Sequence, residues 1–381
     1  MSQKRLIIRA FTVSQSLVFV RDFLPGLMEK YDVKLLCSPE KPVEELEAEC
    51  HAPVIPVEMH RRFSPLKDLA SLRRIVRVFR DERPYMVHSM TPKAGLLCML
   101  AGWLTRVPLR VHTFTGLVFP TSTGLSRKIL MLTDRITCAC ATHIIPEGEG
   151  VKSDLLNYGI TKKPLRILGY GNVKGVDMEF YSRRPEVMEI VEKNSLVAES
   201  CVSFVFVGRI VRDKGINELC QAFDRLSRTE KVHLVLVGPY EEGLDPISEE
   251  SKQIIKENPC ISAVGSKQGD ELLAYYAAAD CYVFPSYREG FPNTVLEAGA
   301  MGLPSIVTDI NGSREIIKDG ENGVIIPSHD VDALYEAMRF MVNNDEARRK
   351  MADNARGMIQ SRFDRKFVQQ CLFDYYDELD V

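Results

Sequence analysis

Short apolar runs alternate with longer amphipathic stretches along most of the chain, and that rhythm predicts the architecture. A strand-like run covers residues 5–10, a polar loop 12–16, a helix 17–30 and a second strand 33–37. Residues 66–80 place Leu69, Leu72, Ile75, Val76 and Phe79 at helical spacing. Strands at 86–89, 110–114 and 143–146 then alternate with helices at 92–105 and 126–140. Alternation of this kind argues for a parallel sheet with helices on both faces.

The pattern breaks at 169–175, Gly-Tyr-Gly-Asn-Val-Lys-Gly, a turn-rich segment. A polar helix-like stretch runs on to about 200, and Cys201-Val-Ser-Phe-Val-Phe-Val-Gly208 opens a fresh series. Further strands are predicted at 232–238, 262–264, 281–285, 305–308 and 323–326, with helices between them, including 270–279 and 332–342. At 381 residues the chain exceeds the size at which one core keeps growing. Two doubly wound α/β domains follow, residues 1–172 and 173–361, with ligands expected beyond the carboxyl ends of the strands, in a cleft. Residues 362–381 carry Phe363, Phe367, Val368, Leu372, Tyr375, Tyr376 and Leu379 in an amphipathic helical pattern, expected to pack back onto the first domain.

Composition narrows the possibilities. Hydrophobic content of 45% and charged content of 27% describe an ordinary globular protein, and a net charge of -3 argues against general nucleic-acid binding. Ten cysteines include no C-x-x-C pair, only Cys138-Ala-Cys140. With no signal-peptide layout at residues 1–10, they predict free thiols in a reducing cytoplasm. The longest apolar stretch, 94–104, is about half of what spans a bilayer.

Two segments carry candidate chemistry. Arg288-Glu-Gly-Phe-Pro-Asn-Thr-Val-Leu-Glu297 is expected to place a loop before a helix, with Glu289 ahead of the loop and Glu297 on the first turn. Loop amides and a helix start attract anions, and carboxylates take hydrogen bonds from hydroxyls, a combination suited to a sugar nucleotide. Thr294 and Glu297 also match the capping-box spacing, so a purely structural use of Glu297 stays open. Upstream, Gly208 ends a strand and Arg209-Ile-Val-Arg-Asp-Lys214-Gly215 follows. Arg209 and Lys214 would then face a diphosphate, each with a Coulomb term of roughly 4 kcal/mol at ~4 Å and an effective dielectric of about 20. A solvated surface loop is the alternative.

Taken together, these segments resemble the retaining nucleotide-sugar glycosyltransferases of family 4, with the GT-B fold of two Rossmann-like domains facing across a cleft. The matching residues are Val207-Gly-Arg209, Asp213-Lys-Gly215, Val237-Gly-Pro239, Ala278-Ala-Asp280, Pro285-Ser286, Glu289 to Asn293, Glu297 to Gly302, Gly312, Glu315 and Asp319 to Gly323. In the first half, Thr91-Pro-Lys-Ala-Gly95 and 111–118 resemble the capsule and O-antigen branch more loosely. The resemblance implies that Arg209 and Lys214 bind the donor diphosphate and stabilise charge on the leaving nucleotide. Glu297 would hold the ribose, and Glu289 the transferred sugar. Amides of Gly290, Phe291, Asn293 and Thr294 would hold sugar and phosphate oxygens, and the base would lie near Gly265. Ser14, Gln15, Lys93, Thr113, Thr115 and Gly116 are the acceptor-side candidates. No Asp-x-Asp motif is expected at a strand end, so neither cofactor nor divalent metal is expected.

The first domain departs from the family pattern. Phe11-Thr-Val-Ser-Gln15 stands where many relatives carry two glycines, and Thr115 stands where many carry histidine. His112, inside a strand-like run, reads as a core histidine. The resemblance further implies a polyprenyl-diphosphate-linked saccharide acceptor and a peripheral position at the inner face of the plasma membrane. Arg61, Arg62, Arg73, Arg74, Arg77 and Arg80, near Trp103, Phe114, Leu117, Val118 and Phe119, would suit an anionic surface or simply a solvated face. The sequence leaves three functions open. They are transfer of a hexose or N-acetylhexosamine from a UDP-sugar, epimerisation of a sugar nucleotide on the same fold, and silent nucleotide-sugar binding.

Overall fold

The computed structural model describes residues 4–60, 64–197, 200–241, 243 and 245–379. It holds two six-stranded sheets in which every strand pairs parallel to its neighbours. The first contains β1 (Leu6–Val13), β2 (Asp32–Ser38), β3 (Val54–Pro56), β4 (Met86–Met90), β5 (Leu109–Phe114) and β6 (His143–Pro146). Its order is β3-β2-β1-β4-β5-β6. The second contains β7 (Val202–Val207), β8 (Val232–Val237), β9 (Ile261–Gly265), β10 (Cys281–Phe284), β11 (Ser305–Thr308) and β12 (Gly323–Ile326). Its order, β12-β11-β10-β7-β8-β9, is the same winding read from the other edge. The chain reverses its winding between β1 and β4, and again between β7 and β10. Loops leaving those adjacent strands diverge, which makes the switch points natural ligand positions. Central strands buried on both faces need continuous apolar runs, and β7 (Val-Ser-Phe-Val-Phe-Val) is buried from its second residue on.

The chain divides into two compact units, one running to Gly175 and resuming at Lys366, the other Val176–Arg365. The sequence had placed these boundaries at 172 and 361. Gly169, Gly171, Asn172 and Gly175 all take positive φ in the turn-rich stretch that leaves the first unit.

Two helices differ from expectation. Residues 17–30 do not form one helix: 3-10 turns cover Ser14–Phe19 and Arg21–Phe23, and the α-helix is only Leu24–Lys30. Pro25 explains this, because a proline without an N–H is tolerated only in the first turn. At the other end, 362–381 is not one continuous helix. Asp364 is extended (ψ 136°) between the helices Asp345–Phe363 and Arg365–Leu379. The gap is filled by Val176, whose N–H donates to the Phe363 carbonyl (2.8 Å) and whose carbonyl accepts from Arg365 N–H (2.9 Å). The final helix packs onto the first unit. Val368, Leu372, Tyr375 and Tyr376 join a core with residues of β1, β2 and β4. Tyr376 Oη accepts from the buried Arg9 Nη1 (3.0 Å) and lies 2.5 Å from His88 Nδ1.

Candidate functional site

In the second unit, the loops that follow β7 and β10 leave adjacent strands at the switch point and are tied together. Tyr287 N–H donates to the Asp213 carbonyl (2.9 Å), and Arg288 Nη2 lies 3.1 Å from the Asp213 carboxylate. Asp213 is itself held by its N–H donating to Asp245 Oδ2 (2.6 Å). Ser286 Oγ, fully buried, stands 3.3 Å from the Asp213 carbonyl and 3.2 Å from Glu289 Oε1. Two glycines permit this crossing. A Cβ at Gly215 (φ 71°) would overlap the Pro285 carbonyl, and one at Gly238 (φ 150°) the Gly208 carbonyl.

This frame brings Lys214 and Glu289 into an ion pair with both side chains largely buried. The Lys214 ammonium also lies 5.2 Å from the centroid of the Phe284 ring, which favours a cation. Arg209 is half exposed and pairs with Glu241. The helix Asn293–Ala300 begins directly after Phe291-Pro292. Phe291 is buried against Phe363, ring centroids 5.4 Å apart, so this residue anchors the loop with its side chain.

Glu297 corrects two expectations. Pro292 is the residue before the helix, so Glu297 lies on the second turn rather than the first, and no side chain caps this start. The Thr-x-x-Glu spacing therefore does not make a capping box here. Glu297 is buried and accepts from Tyr276 Oη (3.3 Å), while Thr294 Oγ1 meets Tyr282 Oη at 2.7 Å. Burial and the Glu297 charge hold both tyrosines well above their usual range, fixing them as neutral hydroxyls. Gly265 is exposed at the end of β9, its carbonyl accepting from Gly238 N–H at 2.9 Å. Residue identity alone gave Asp213, Ser286, Tyr276 and Tyr282 no role; they act by positioning, and only the strand order brings them to the site.

One Asp-x-Asp does occur past a strand, Asp330-Val331-Asp332. Asp330 caps the helix Val331–Asn343 through Ala333 N–H (2.8 Å), and Asp332 pairs with Arg225 (2.6 Å). Among the described residues no group of three or more His, Cys, Asp or Glu is placed to hold a metal ion.

In the first unit five of the six acceptor-side candidates follow β1, β4 and β5, Thr113 lies within β5 itself, and their surroundings differ. Ser14 Oγ accepts from Glu40 N–H (3.1 Å), and Gln15 N–H donates to Glu40 Oε2 (3.3 Å). Lys93 is paired with Asp68 (2.6 Å) with both side chains nearly buried, which clamps the helices Pro65–Glu82 and Pro92–Leu104 together. Thr113 Oγ1 bonds the buried His88 Nε2 (2.7 Å). Thr115 and Gly116 line a small cavity beside His112. His112 is a core histidine: Ser89 Oγ meets its Nδ1 at 2.8 Å, Phe114 packs edge-on at 4.5 Å, and burial pushes its pKa down to about 3.

The surface expected to be basic and aromatic is partly corrected. Arg73, Arg74, Arg77 and Arg80 are exposed, as are Leu66, Leu69, Trp103, Leu104 and Val118. Phe114 and Phe119 are buried core residues, because β5 and the turn after it face inward. Arg61 and Arg62 lie outside the described residues. No helix among the described residues is long and apolar enough to cross a membrane.

Known proteins resemble this chain in family and in fold. Residues 188–358 match the family described as Glycosyl transferases group 1, and residues 18–171 a Glycosyl transferase 4-like domain. The chain is 31% identical to the capsular polysaccharide biosynthesis glycosyltransferase CapM of Staphylococcus aureus, over 97% of this chain and 96% of that one. It is 27% identical to an Escherichia coli UDP-Gal:alpha-D-GlcNAc-diphosphoundecaprenol alpha-1,3-galactosyltransferase, over 90% and 87% of the two chains. The crystal structure of Anabaena HepE in complex with UDP shares the fold, with a TM-score of 0.81 at 16% identity, covering 98% of this chain and 99% of that one. The chain belongs to the group 1 glycosyltransferases, with two GT-B-type Rossmann-like units.

Proposed function

We propose that the protein transfers a hexose or N-acetylhexosamine from a UDP-sugar to a saccharide carried on polyprenyl diphosphate, with retention at the anomeric carbon, in bacterial surface polysaccharide synthesis. The observation that carries this reading is the Lys214–Glu289 pair at the switch point between β7 and β10. A cation suited to a phosphate oxygen and a carboxylate suited to sugar hydroxyls meet where a diphosphate joins its sugar. In this reading Arg209 and Lys214 take the diphosphate and compensate charge as the nucleotide leaves. Glu289 and the amides of Gly290 and Phe291 hold the transferred sugar. The helix start at Asn293 and Thr294 faces phosphate, Glu297 the ribose, and the backbone near Gly265 the base. Positive side chains take the part a divalent metal plays elsewhere, so transfer persists in EDTA. UDP is preferred as the donor nucleotide because two relatives carry it in their names or complexes.

The acceptor class follows the Escherichia coli relative, whose name specifies a diphosphoundecaprenol-linked sugar. Such an acceptor lies at a membrane, and the exposed arginines of the helix Pro65–Glu82, with Leu66, Leu69 and Trp103, suit an anionic surface on the cytoplasmic side. The test is UDP release from a panel of UDP-sugars, with and without lipid-linked acceptors, in EDTA and in magnesium. Acceptor-dependent release in EDTA supports the proposal. Interconversion of sugar nucleotides without acceptor would point to an epimerase, and binding without turnover to a silent binding protein. Activity abolished by EDTA and restored by magnesium would overturn metal independence.

A further inference from the structure

The cavity that holds Thr115 and Gly116 contains one group the sequence did not single out. Asp134 projects into it from the helix Gly124–Cys140, alongside Thr91, His112 and Leu130. An aspartate inside a helix is a poor helix former, and one taken partly out of water needs partners. Among the described residues the Asp134 carboxylate makes no hydrogen bond or ion pair. Two cations of the same helix are engaged elsewhere: Arg135 donates to the Gly159 carbonyl (3.2 Å), and Arg127 lies over the Tyr158 ring (5.3 Å). His112 is neutral, its Nδ1 turned to Ser89. The cavity volume is about 20 Å3, which admits one hydroxyl or water.

We propose that Asp134 is an acceptor-recognition residue, its carboxyl group taking a hydroxyl of the saccharide acceptor inside this cavity. The inference rests on the transferase reading above. A sugar hydroxyl supplies the hydrogen bond the carboxylate lacks, and the neighbouring accessible apolar side chains of Val118 and Leu130 suit the C–H face of a pyranose whose one hydroxyl enters the cavity. Burial raises the Asp134 pKa to about 7, as an uncompensated carboxyl group requires. Thr115, which stands where histidine was expected, lies beside it. The loop's polar contribution to the acceptor is thereby shifted from the loop to the helix.

The experiment compares wild type with Asp134→Asn, and with Asp134→Ser as a second variant in case the first does not fold. Donors are UDP-galactose and UDP-glucose; acceptor probes are α-N-acetylglucosamine diphosphate and α-galactose diphosphate on a short alkyl chain. The readouts are acceptor KM, kcat and the thermal upshift produced by donor alone. The expected result is an acceptor KM raised about tenfold or more with the donor-induced upshift retained, since a site built to bond a hydroxyl loses that partner. An acceptor KM within about twofold of wild type would overturn the proposal, as would equal loss of the donor-induced upshift, which marks a structural role. If wild type transfers to neither probe from these donors or from the UDP-N-acetylhexosamines of the donor panel, the transferase reading itself fails, and that outcome is distinct from an unchanged KM in the variant.

Discussion

The Lys214 ammonium and the Glu289 carboxylate, 75 positions apart in sequence, form an ion pair in which the two side chains retain 17% and 18% of their exposure. Neither loop could hold its charge there alone. Lys214 is placed by the turn that ends at Gly215, and Glu289 by Ser286 and the Arg288–Asp213 bridge. The group expected to meet phosphate is thus prepositioned against the group expected to meet sugar, and little rearrangement is needed when a donor arrives.

Arg209 is the more adjustable cation. It is paired with Glu241, and half-exposed ion pairs contribute only about 0–1 kcal/mol. Removing the competing carboxylate with Glu241→Gln is expected to tighten UDP-sugar binding by about twofold to fivefold, measured by titration calorimetry. The Arg209→Ala variant should weaken it and show no such gain from Glu241→Gln. Weaker binding in Glu241→Gln would contradict competition between Glu241 and the diphosphate.

Glu297 is expected to matter through Tyr276 rather than through the helix start. Glu297→Ala leaves a buried tyrosine hydroxyl without its acceptor, at a cost of about 1–3 kcal/mol in urea unfolding, alongside weaker donor binding. In Tyr276→Phe the further loss on adding Glu297→Ala should be smaller by the share of this one contact, since Glu297 also takes a hydrogen bond from Tyr181. Equal losses in both backgrounds would mean that the 3.3 Å contact contributes nothing.

His112 sets an acid limit. Its pKa is about 3 in the fold against an ordinary 6.5, so the unfolded chain binds the extra proton between those values. Stability from this residue is therefore fully present above pH 6.5 and is lost as pH falls toward 3. His112→Gln is expected to flatten the fall in stability over that window in urea titrations at several pH values. An unchanged slope would mean that His112 protonates in the folded state near its ordinary pKa.

Charge reversal at Arg73 and Arg77 is expected to reduce sedimentation with anionic vesicles severalfold while leaving neutral vesicles unaffected, with the greatest effect at low salt. Both arginines are exposed on the helix Pro65–Glu82. Unchanged binding would remove them from any membrane role.

Much of this was legible in the sequence because the signals were local. Apolar runs such as 202–207 gave the central strands, and Gly208, Gly215 and Gly238 marked turns that only glycine fits. The two site segments stood out by residue type. Their adjacency did not, since it depends on β10 crossing back to lie beside β7. Partners set by tertiary contact were equally hidden. The spacing of Thr294 and Glu297 matched a capping box, but Pro292 fixes the helix start so that both residues turn to tyrosines from other elements. Phe114 and Phe119 read as surface aromatics because burial is decided by which way a strand end and its turn face. Asp134 carried no motif, and only the cavity around it makes it conspicuous.

The most direct measurement is steady-state transfer from the preferred UDP-sugar to a lipid-linked acceptor by wild type and Lys214→Met, with the product anomer read by NMR. The expected result is an α-linked product from an α-linked donor and a kcat lower by about a hundredfold to a thousandfold in the variant, the range for removing one group that stabilises developing charge. An inverted product would contradict retention, and near-normal turnover in Lys214→Met would contradict a donor diphosphate clasped between the loops that follow β7 and β10.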